Sequence, residues 1–299
     1  MATEPQKSKE HPSTYIVQDR SNEEELIRVN LQDKLVTEGM GGVLPEQENL
    51  SHFQRVLDVA CGTGNWLITL AQQMPDAKLL VGVDVSKSMI DYARKQAQEA
   101  DMAERVDFRV MDALRMLEFP RESFDLVNQR FGQPYLRSWE WAGLLQEFRR
   151  VTRPDGIIRI TDCDMPVSNA PAFGALQQLF GKAMNQSGHL FSTQSDGITS
   201  VLEPMMHQAG LLNLRTRVHH LEYRAGTKAG QLYTENIGHL FRTAAPFLRK
   251  WTKVPGDYDR LYHQTLEEMQ QPDFVATWPL LTVWGTSPQT EKRQVFDPH

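Results

Sequence analysis

The sequence predicts a doubly wound α/β fold: a mostly parallel sheet with helices on both faces. Three observations carry this. From Arg55 onward, short apolar runs alternate with helical segments, the rhythm of strand-helix-strand units. The first run ends in an acid and a glycine turn that opens a helix, Val56-Leu-Asp58-Val-Ala60-Cys-Gly62-Thr-Gly64. The chain has 299 residues, 40% of them hydrophobic, enough to bury such a core without staples. Its two cysteines, Cys61 and Cys163, are too few for a disulfide framework or a four-thiolate zinc site.

The elements follow in order. The first dozen residues are polar and contain proline, so 1–14 reads as a flexible tail with little to bury. Ser21 and Glu24 form an S-x-x-E capping box, and Glu23, Glu24 and Glu25 suit the positive end of a helix. Leu26, Ile27, Leu31, Leu35 and Val36 recur at helical spacing until Gly39, Gly41 and Gly42, giving an N-terminal helical cap over 15–50. The main domain then occupies 51–299.

Within it, 56–59 is a buried strand, 67–74 a helix and 78–84 a second strand. A helix begins at Ser86 and carries Met89, Ile90, Ala93, Ala97 and Ala100 on one face. Residues 106–111 and 124–129 are the third and fourth strands. Ser138 caps a helix bearing Trp141, Leu144, Leu145 and Phe148, with Arg149 and Arg150 in its last turn, where cations are favoured. Arg153-Pro154-Asp155-Gly156 is a turn, and 157–161 a fifth strand. Past Asp164 the alternation breaks. Residues 166–195 contain a helix over 173–184 and a Gly/Ser-rich stretch, an insertion placed as a lid over the strand ends. Residues 197–208 and 231–251 read as helical, 214–223 as a sixth strand and 278–284 as a seventh.

Composition excludes several classes. No run approaches the roughly 18 apolar residues of a membrane span, and the N-terminal stretch lacks the apolar core of a signal peptide. The expected compartment is the reducing cytoplasm. Lys+Arg 32 against Asp+Glu 38 gives a net charge of −6, so no general pull toward phosphate backbones is expected. A basic stretch over 242–253 is the one local exception.

The glycine turn admits a ligand close to the backbone at a helix start. A dinucleotide fingerprint needs a third Gly where Leu67 stands, and no Gly-Lys-Ser/Thr follows for a phosphate loop. A tight turn around a buried Asp is the plainer alternative. What the turn resembles is motif I of the class I S-adenosylmethionine-dependent methyltransferases, with Asp58, Ala60, Gly62 and Gly64 in the pattern and Ala60 in place of a glycine. S-adenosylmethionine carries an ammonium and a sulfonium, which favour a carboxylate neighbour.

Three further segments resemble the same family. Gly82-Val-Asp84-Val-Ser86 ends the second strand with an acid; the resemblance implies that Asp84 accepts from the ribose hydroxyls and that Val85 lies on the adenine. Met111-Asp112-Ala113 resembles the segment that reads the adenine amino group. Phe124-Asp125-Leu126-Val127 resembles the fourth-strand motif, with Asn128 and Gln129 along the methionine part of the cofactor. Residues 144–161 and the terminal Trp278-Pro-Leu-Leu-Thr-Val-Trp-Gly resemble the following helix, turn, fifth strand and antiparallel seventh strand. Singly, Asp84 and Asp112 also suit surface turns. Together the matches imply a Rossmann-like seven-stranded sheet, mostly parallel with the last strand antiparallel, and S-adenosylmethionine as cofactor.

The acceptor is narrowed by elimination. Asn128-Gln-Arg-Phe131 is not the Asn/Asp-Pro-Pro-Tyr/Phe of amino-methylating DNA enzymes, and neither cysteine follows a proline as in cytosine C5 enzymes. Two cysteines are too few for a thiol relay, and Cys61 in the glycine turn reads as packing. Asp162 and Asp164 follow the fifth strand, but Asn128 and Gln129 follow the fourth, so no metal site is expected. A small molecule, aromatic or like a secondary metabolite, remains, methylated at O, N or C by direct displacement. The expected protein is a monomer or homodimer with no nucleic-acid or membrane partner. A cofactor-binding regulatory module without turnover, or a protein or RNA methyltransferase, is the alternative.

The N-terminal pattern Tyr15…Arg20…Leu26…Gln32-Asp33…Met40-Gly-Gly resembles the UbiE-like group of small-molecule methyltransferases, which implies that Tyr15 and Gln32 close over the cofactor. A solvated helix face accounts for Gln32 equally well. His189, beside Gly188 in the lid, is the candidate acid/base, Tyr15 a further candidate and Arg130 an orienting cation. His219 and Tyr223 are lesser candidates. His219 and His220 point to opposite faces of one strand, and a packed histidine is the plainer reading in a chain with nine. Trp66, Phe131, Tyr135 and Trp139 form an aromatic pocket wall or, at least in part, core.

Overall fold

The computed structural model describes residues 15–17, 23–192 and 197–289, so the expected tail, Arg20, the Ser21 cap and the end of the 166–195 insertion lie outside the described residues. Strands β1 (Arg55–Val59), β2 (Leu79–Asp84), β3 (Val106–Val110), β4 (Phe124–Arg130) and β5 (Thr152–Cys163) pair in parallel in the order β3-β2-β1-β4-β5. Beyond β5, the long β8 (Val275–Thr286) runs antiparallel, with β7 (Leu212–Arg224) on its far side and the two-residue β6 (Val167–Ser168) also paired to it. The antiparallel closing strand is the expected one; β6 is an addition too short for a periodic signal. Strand order reverses between β1 and β4. In open α/β sheets the crevice at such a reversal, outside the carboxyl ends of the strands, is where ligands bind.

Period-two alternation divides the sheet between two cores. Val56, Leu80 and Leu126 face α2 (Asn65–Gln73) and α3 (Lys87–Glu99), while Leu57, Val81 and Val127 face α4 (Trp141–Val151) and α6 (Thr199–Gln208). α3 is capped as predicted, Ser86 Oγ accepting from the Met89 amide at 3.4 Å. α4 is not capped by Ser138. It starts at Trp141, and the Ser138 amide instead donates to the Gly188 carbonyl. The predicted turn at 153–156 interrupts the register of β5, since Phe124 pairs with Thr152 but Leu126 with Ile157, and Asp155 takes φ 59°.

A third core lies over the strand ends, larger than the cap and lid that the sequence predicts. It is built by α1 (Glu23–Met40), α5 (Pro171–Gln186), α7 (Lys228–Thr243), α8 (Ala245–Trp251) and α9 (Tyr258–Glu268). The helical stretch expected over 231–251 is two helices, because Pro246 has no amide proton to continue the first. α5, expected within the lid, packs against α8 and α9. α1 departs from its sequence pattern: Ile27 is 50% exposed, and the helix buries Glu25, Arg28 and Asp33 before Leu35, Val36 and Met40. Among the described residues no helix is long and apolar enough to cross a membrane.

Beneath the sheet's centre lies a buried ion pair. Arg159 on β5 and Glu46, in the loop before β1, are 0% and 1% exposed, with Nε to Oε1 at 2.5 Å. Removing one partner strands the other charge away from water. Glu46→Ala is expected to lower unfolding free energy by about 3–5 kcal/mol, read as a shifted urea midpoint with unchanged slope.

Candidate active site

A cavity of about 1110 Å³ opens at the carboxyl ends of β1, β2 and β4 and runs beneath the helical cap. The strand-end wall is built by the glycine turn. Ala60 and Gly62 have φ 56° and 53°, the left-handed turn that lets the backbone leave β1 and enter α2. Ala60 holds this conformation against a cost of about 1–2 kcal/mol. A Cβ at Gly62 would stand 3.1 Å from Val29 of α1, so turn and cap meet here. Cys61 is half-buried in the same wall, its amide donating to the Val83 carbonyl.

Asp84 ends β2 with both oxygens directed at the wall: Oδ2 accepts from the Gly62 amide at 3.0 Å and Oδ1 from the Ser86 amide at 2.8 Å. Asp112 and Ala113, after β3, line the same cavity, and Asp112 accepts from the Leu114 amide at 3.0 Å. Val85, Val110, Leu114 and Met116 also line it while 40% to 68% exposed. Open apolar side chains beside two strand-end carboxylates fit a cationic nucleoside: the carboxylates suit the charge and the hydroxyls, and the apolar surfaces suit a purine ring.

Asp58 is the buried member of this set, and its setting follows from register. Asp58 pairs with Asn128, and Asn128 with Arg159, so three neighbouring strands place these side chains in one cross-strand row. Arg159 Nη1 donates to Asn128 Oδ1 at 2.8 Å, and Asn128 Nδ2 donates to Asp58 Oδ1 at 2.7 Å. Burial pushes the Asp58 carboxyl up to about 7, assisted by the nearby Asp84 and opposed by Asn128 and Arg159.

The cap closes the other side. Tyr15, Gln32 and Arg130 all line the cavity, as do Glu25, Arg28 and Asp33, for which the sequence alone suggests no site role. Tyr15 donates to Glu25 Oε1 at 2.5 Å, while Arg28 bonds both Glu25 oxygens, at 2.8 and 2.7 Å, and Gln32 Oε1 at 2.7 Å. Arg28 also donates to the Tyr15 oxygen at 3.0 Å. Burial and the Glu25 charge hold the Tyr15 phenol protonated far above its usual range. Its hydroxyl is a strut of the cover and not a base. Arg130 is ion-paired with Asp33, donates to Thr37 Oγ1 at 3.1 Å and lies over the Trp66 ring at 5.9 Å.

Four expected site residues stand outside the cavity lining. His189 is 1% exposed, shares a hydrogen bond with Ser187 Oγ at 2.7 Å and meets Phe247 edge-on, so it is a packed histidine. Asn128 is occupied between Asp58 and Arg159, behind the wall. Gln129 donates to the Tyr135 hydroxyl at 2.5 Å. Gly64 starts α2 at φ 76°, where a Cβ would lie 2.5 Å from Phe108 and 2.8 Å from Ala93; its need for glycine is steric. The lesser candidates fare alike: His219 bonds Thr282 and Tyr223 stacks on Tyr233, neither lining the cavity. Of the aromatic wall, Phe131 and Tyr135 line it, Trp66 is core and Trp139 is 63% exposed outside it. Asp162 accepts the Cys163 and Gln133 amides, at 2.9 and 3.1 Å, and Asp164 the Thr199 amide at 3.0 Å. Among the described residues no group of three or more His, Cys, Asp or Glu is gathered as metal ligands.

A family model described as a methyltransferase domain matches residues 56–156. The demethylmenaquinone methyltransferase of Lactiplantibacillus plantarum is 29% identical over 198 residues, 63% of this chain and 81% of the relative. That of Listeria welshimeri is 30% identical over 176 residues, 54% of this chain and 71% of the relative. Among solved structures, phosphoethanolamine N-methyltransferase 2 of Haemonchus contortus, in complex with phosphomonomethylethanolamine and S-adenosylhomocysteine, shares the fold with a TM-score of 0.55 and 17% identity, over 92% of this chain and 60% of that one.

The Asp58 setting has a measurable consequence. With its carboxyl raised to about 7, the ligand-free fold loses stability from this group as pH rises from about 4 toward 7. A cationic cofactor favours the ionised form and expels the proton. S-adenosylmethionine affinity is therefore expected to be level above pH 7 and to fall by up to about tenfold per pH unit below it. Calorimetry in buffers of different ionisation enthalpy reads both the slope and the released proton.

Proposed function

This chain belongs to the class I S-adenosylmethionine-dependent methyltransferases, and we propose that its acceptor is a small, largely apolar ring compound held beneath the helical cap. One observation carries the reading: the half of the cavity beyond the strand ends is walled by Phe131, Phe173, Phe180, Met184, Phe241 and Trp278. The cavity exceeds the ~300–1,000 Å³ of a site for one drug-sized ligand, which suits a cofactor and an acceptor together. The rings Phe173, Phe180 and Phe241 meet edge-to-face at 6.2–6.3 Å, and Phe131 stacks on Trp278 at 5.6 Å. Such walls select planar apolar surface. The relatives are named for an acceptor with such a ring, demethylmenaquinone.

S-adenosylmethionine supplies an already activated methyl group. What the chain's residues contribute is alignment and dryness. Asp58 and Asp84 hold the cationic and ribose ends, with Val85 and Asp112 along the purine. Tyr15, Arg28 and Gln32 cover the cofactor, and Arg130, fixed by Asp33, orients a polar group of the acceptor. The aromatic walls present the acceptor's edge and keep water from it. The segment around α5 acts as the lid. A general base from the chain has no place in this reading, since Tyr15 and His189 are both committed elsewhere.

The test is turnover. Protein given S-adenosylmethionine with a labelled methyl group and a panel of bicyclic phenols, short amines and peptides is expected to label the ring compounds. Phe180→Asp is expected to lower ring turnover by at least about tenfold with S-adenosylhomocysteine affinity unchanged. Labelling of peptides alone, or tight cofactor binding with no turnover across the panel, would remove the reading.

A further inference from the structure

We propose that Tyr233 and Asn236, on one face of α7, form a hydroxyl-binding subsite in the acceptor lobe of the cavity. The proposal rests on reading that lobe as the acceptor pocket. The two residues are three apart, the spacing that puts side chains on one face of a helix, and Ile237, Leu240 and Phe241 continue that face along the same cavity. Tyr233 is 1% exposed and Asn236 2%. Yet the Tyr233 hydroxyl and Asn236 Oδ1 have no hydrogen-bond partner, and they do not bond each other. Buried polar atoms are nearly always paired, because leaving one unpaired forfeits its bond to water. Two such atoms on a helix face lining a cavity point to a group the cavity receives.

The donor and acceptor character of the two atoms says what that group would be. The Tyr233 ring stacks on Tyr223 with centroids 4.2 Å apart and planes within 5°, and it meets Phe173 edge-on at 6.5 Å. These contacts hold the ring between Tyr223 and Phe173. Tyr223, whose hydroxyl is also unpartnered, does not line the cavity and is no part of the subsite. Burial keeps the Tyr233 phenol protonated, so it donates. Asn236 Oδ1 can only accept. The ligand group must therefore offer a lone pair to Tyr233 and a hydrogen to Asn236. A hydroxyl on an apolar ring does both through one oxygen. An ether offers only the lone pair, and a bare hydrocarbon neither.

The test compares 1-naphthol with 1-methoxynaphthalene, by calorimetry on the full chain saturated with S-adenosylhomocysteine. An apolar pocket with no polar partners favours the ether, the more hydrophobic of the two. The subsite instead predicts that 1-naphthol binds about tenfold tighter. Tyr233→Phe, which keeps the ring, and Asn236→Leu, which keeps the size, should each bring the ratio below about threefold without weakening 1-methoxynaphthalene. S-adenosylhomocysteine affinity within twofold of wild type shows that each variant is folded. If a variant fails that check, the wild-type ratio decides alone. Equal binding of both probes to wild type, or an unchanged ratio in folded variants, overturns the subsite and leaves the apolar acceptor lobe standing. Binding of neither probe overturns both.

Discussion

Arg159 has no contact with water, and the centre of the site is arranged around satisfying its charge. Glu46 answers it from one side; from the other, its remaining nitrogen fixes the amide of Asn128 with the oxygen toward the cation. The amide nitrogen is then left facing Asp58 and can only donate to it. A cation behind the cavity wall thus decides how a carboxylate of that wall is held. The arrangement needs three strands in register, which the parallel ladder from β1 through β4 to β5 provides. Burial raises the Asp58 carboxyl and the row resists the rise, leaving a carboxylate that a cation can tip.

The helical cap solves a different problem. A direct displacement needs a dry, shaped cavity more than it needs a base. Aromatic rings from α5 and α7 supply the walls, while α1 supplies a cover whose inner face is charged. That inner face is tolerable only because Glu25, Arg28, Gln32 and Tyr15 satisfy one another. The two halves of the cavity accordingly differ in character: polar and turn-built at the strand ends, aromatic and helix-built beyond.

Much of the first half was legible in the sequence. Asp58, Gly62, Asp84, Val85 and Asp112 sit at strand ends, where local pattern alone predicts position. Asn128 and Gln129 lie on the expected strand, but their side chains turn to Arg159 and Tyr135, partners chosen by strand register and loop path, which single-sequence pattern does not carry. His189 looked poised in a glycine-flanked loop, and nothing in sequence announces that Ser187 and Phe247 would enclose it. α1 misled in the opposite way. Its apolar spacing suggested an ordinary amphipathic helix, whereas its buried start is a charged network completed by Tyr15 from the chain before it. The cavity wall on α7 carried a signal, Tyr233, Asn236, Ile237, Leu240 and Phe241 at helical spacing, but such a stripe reads as core until an opening is seen beneath it.

Glu25 has one more partner: Oε2 also accepts from Thr243, at the end of α7, at 3.3 Å. One carboxylate therefore ties the cover of the cavity to the helix that walls its aromatic half, so that Tyr15, Arg28 and the end of α7 share a single anchor.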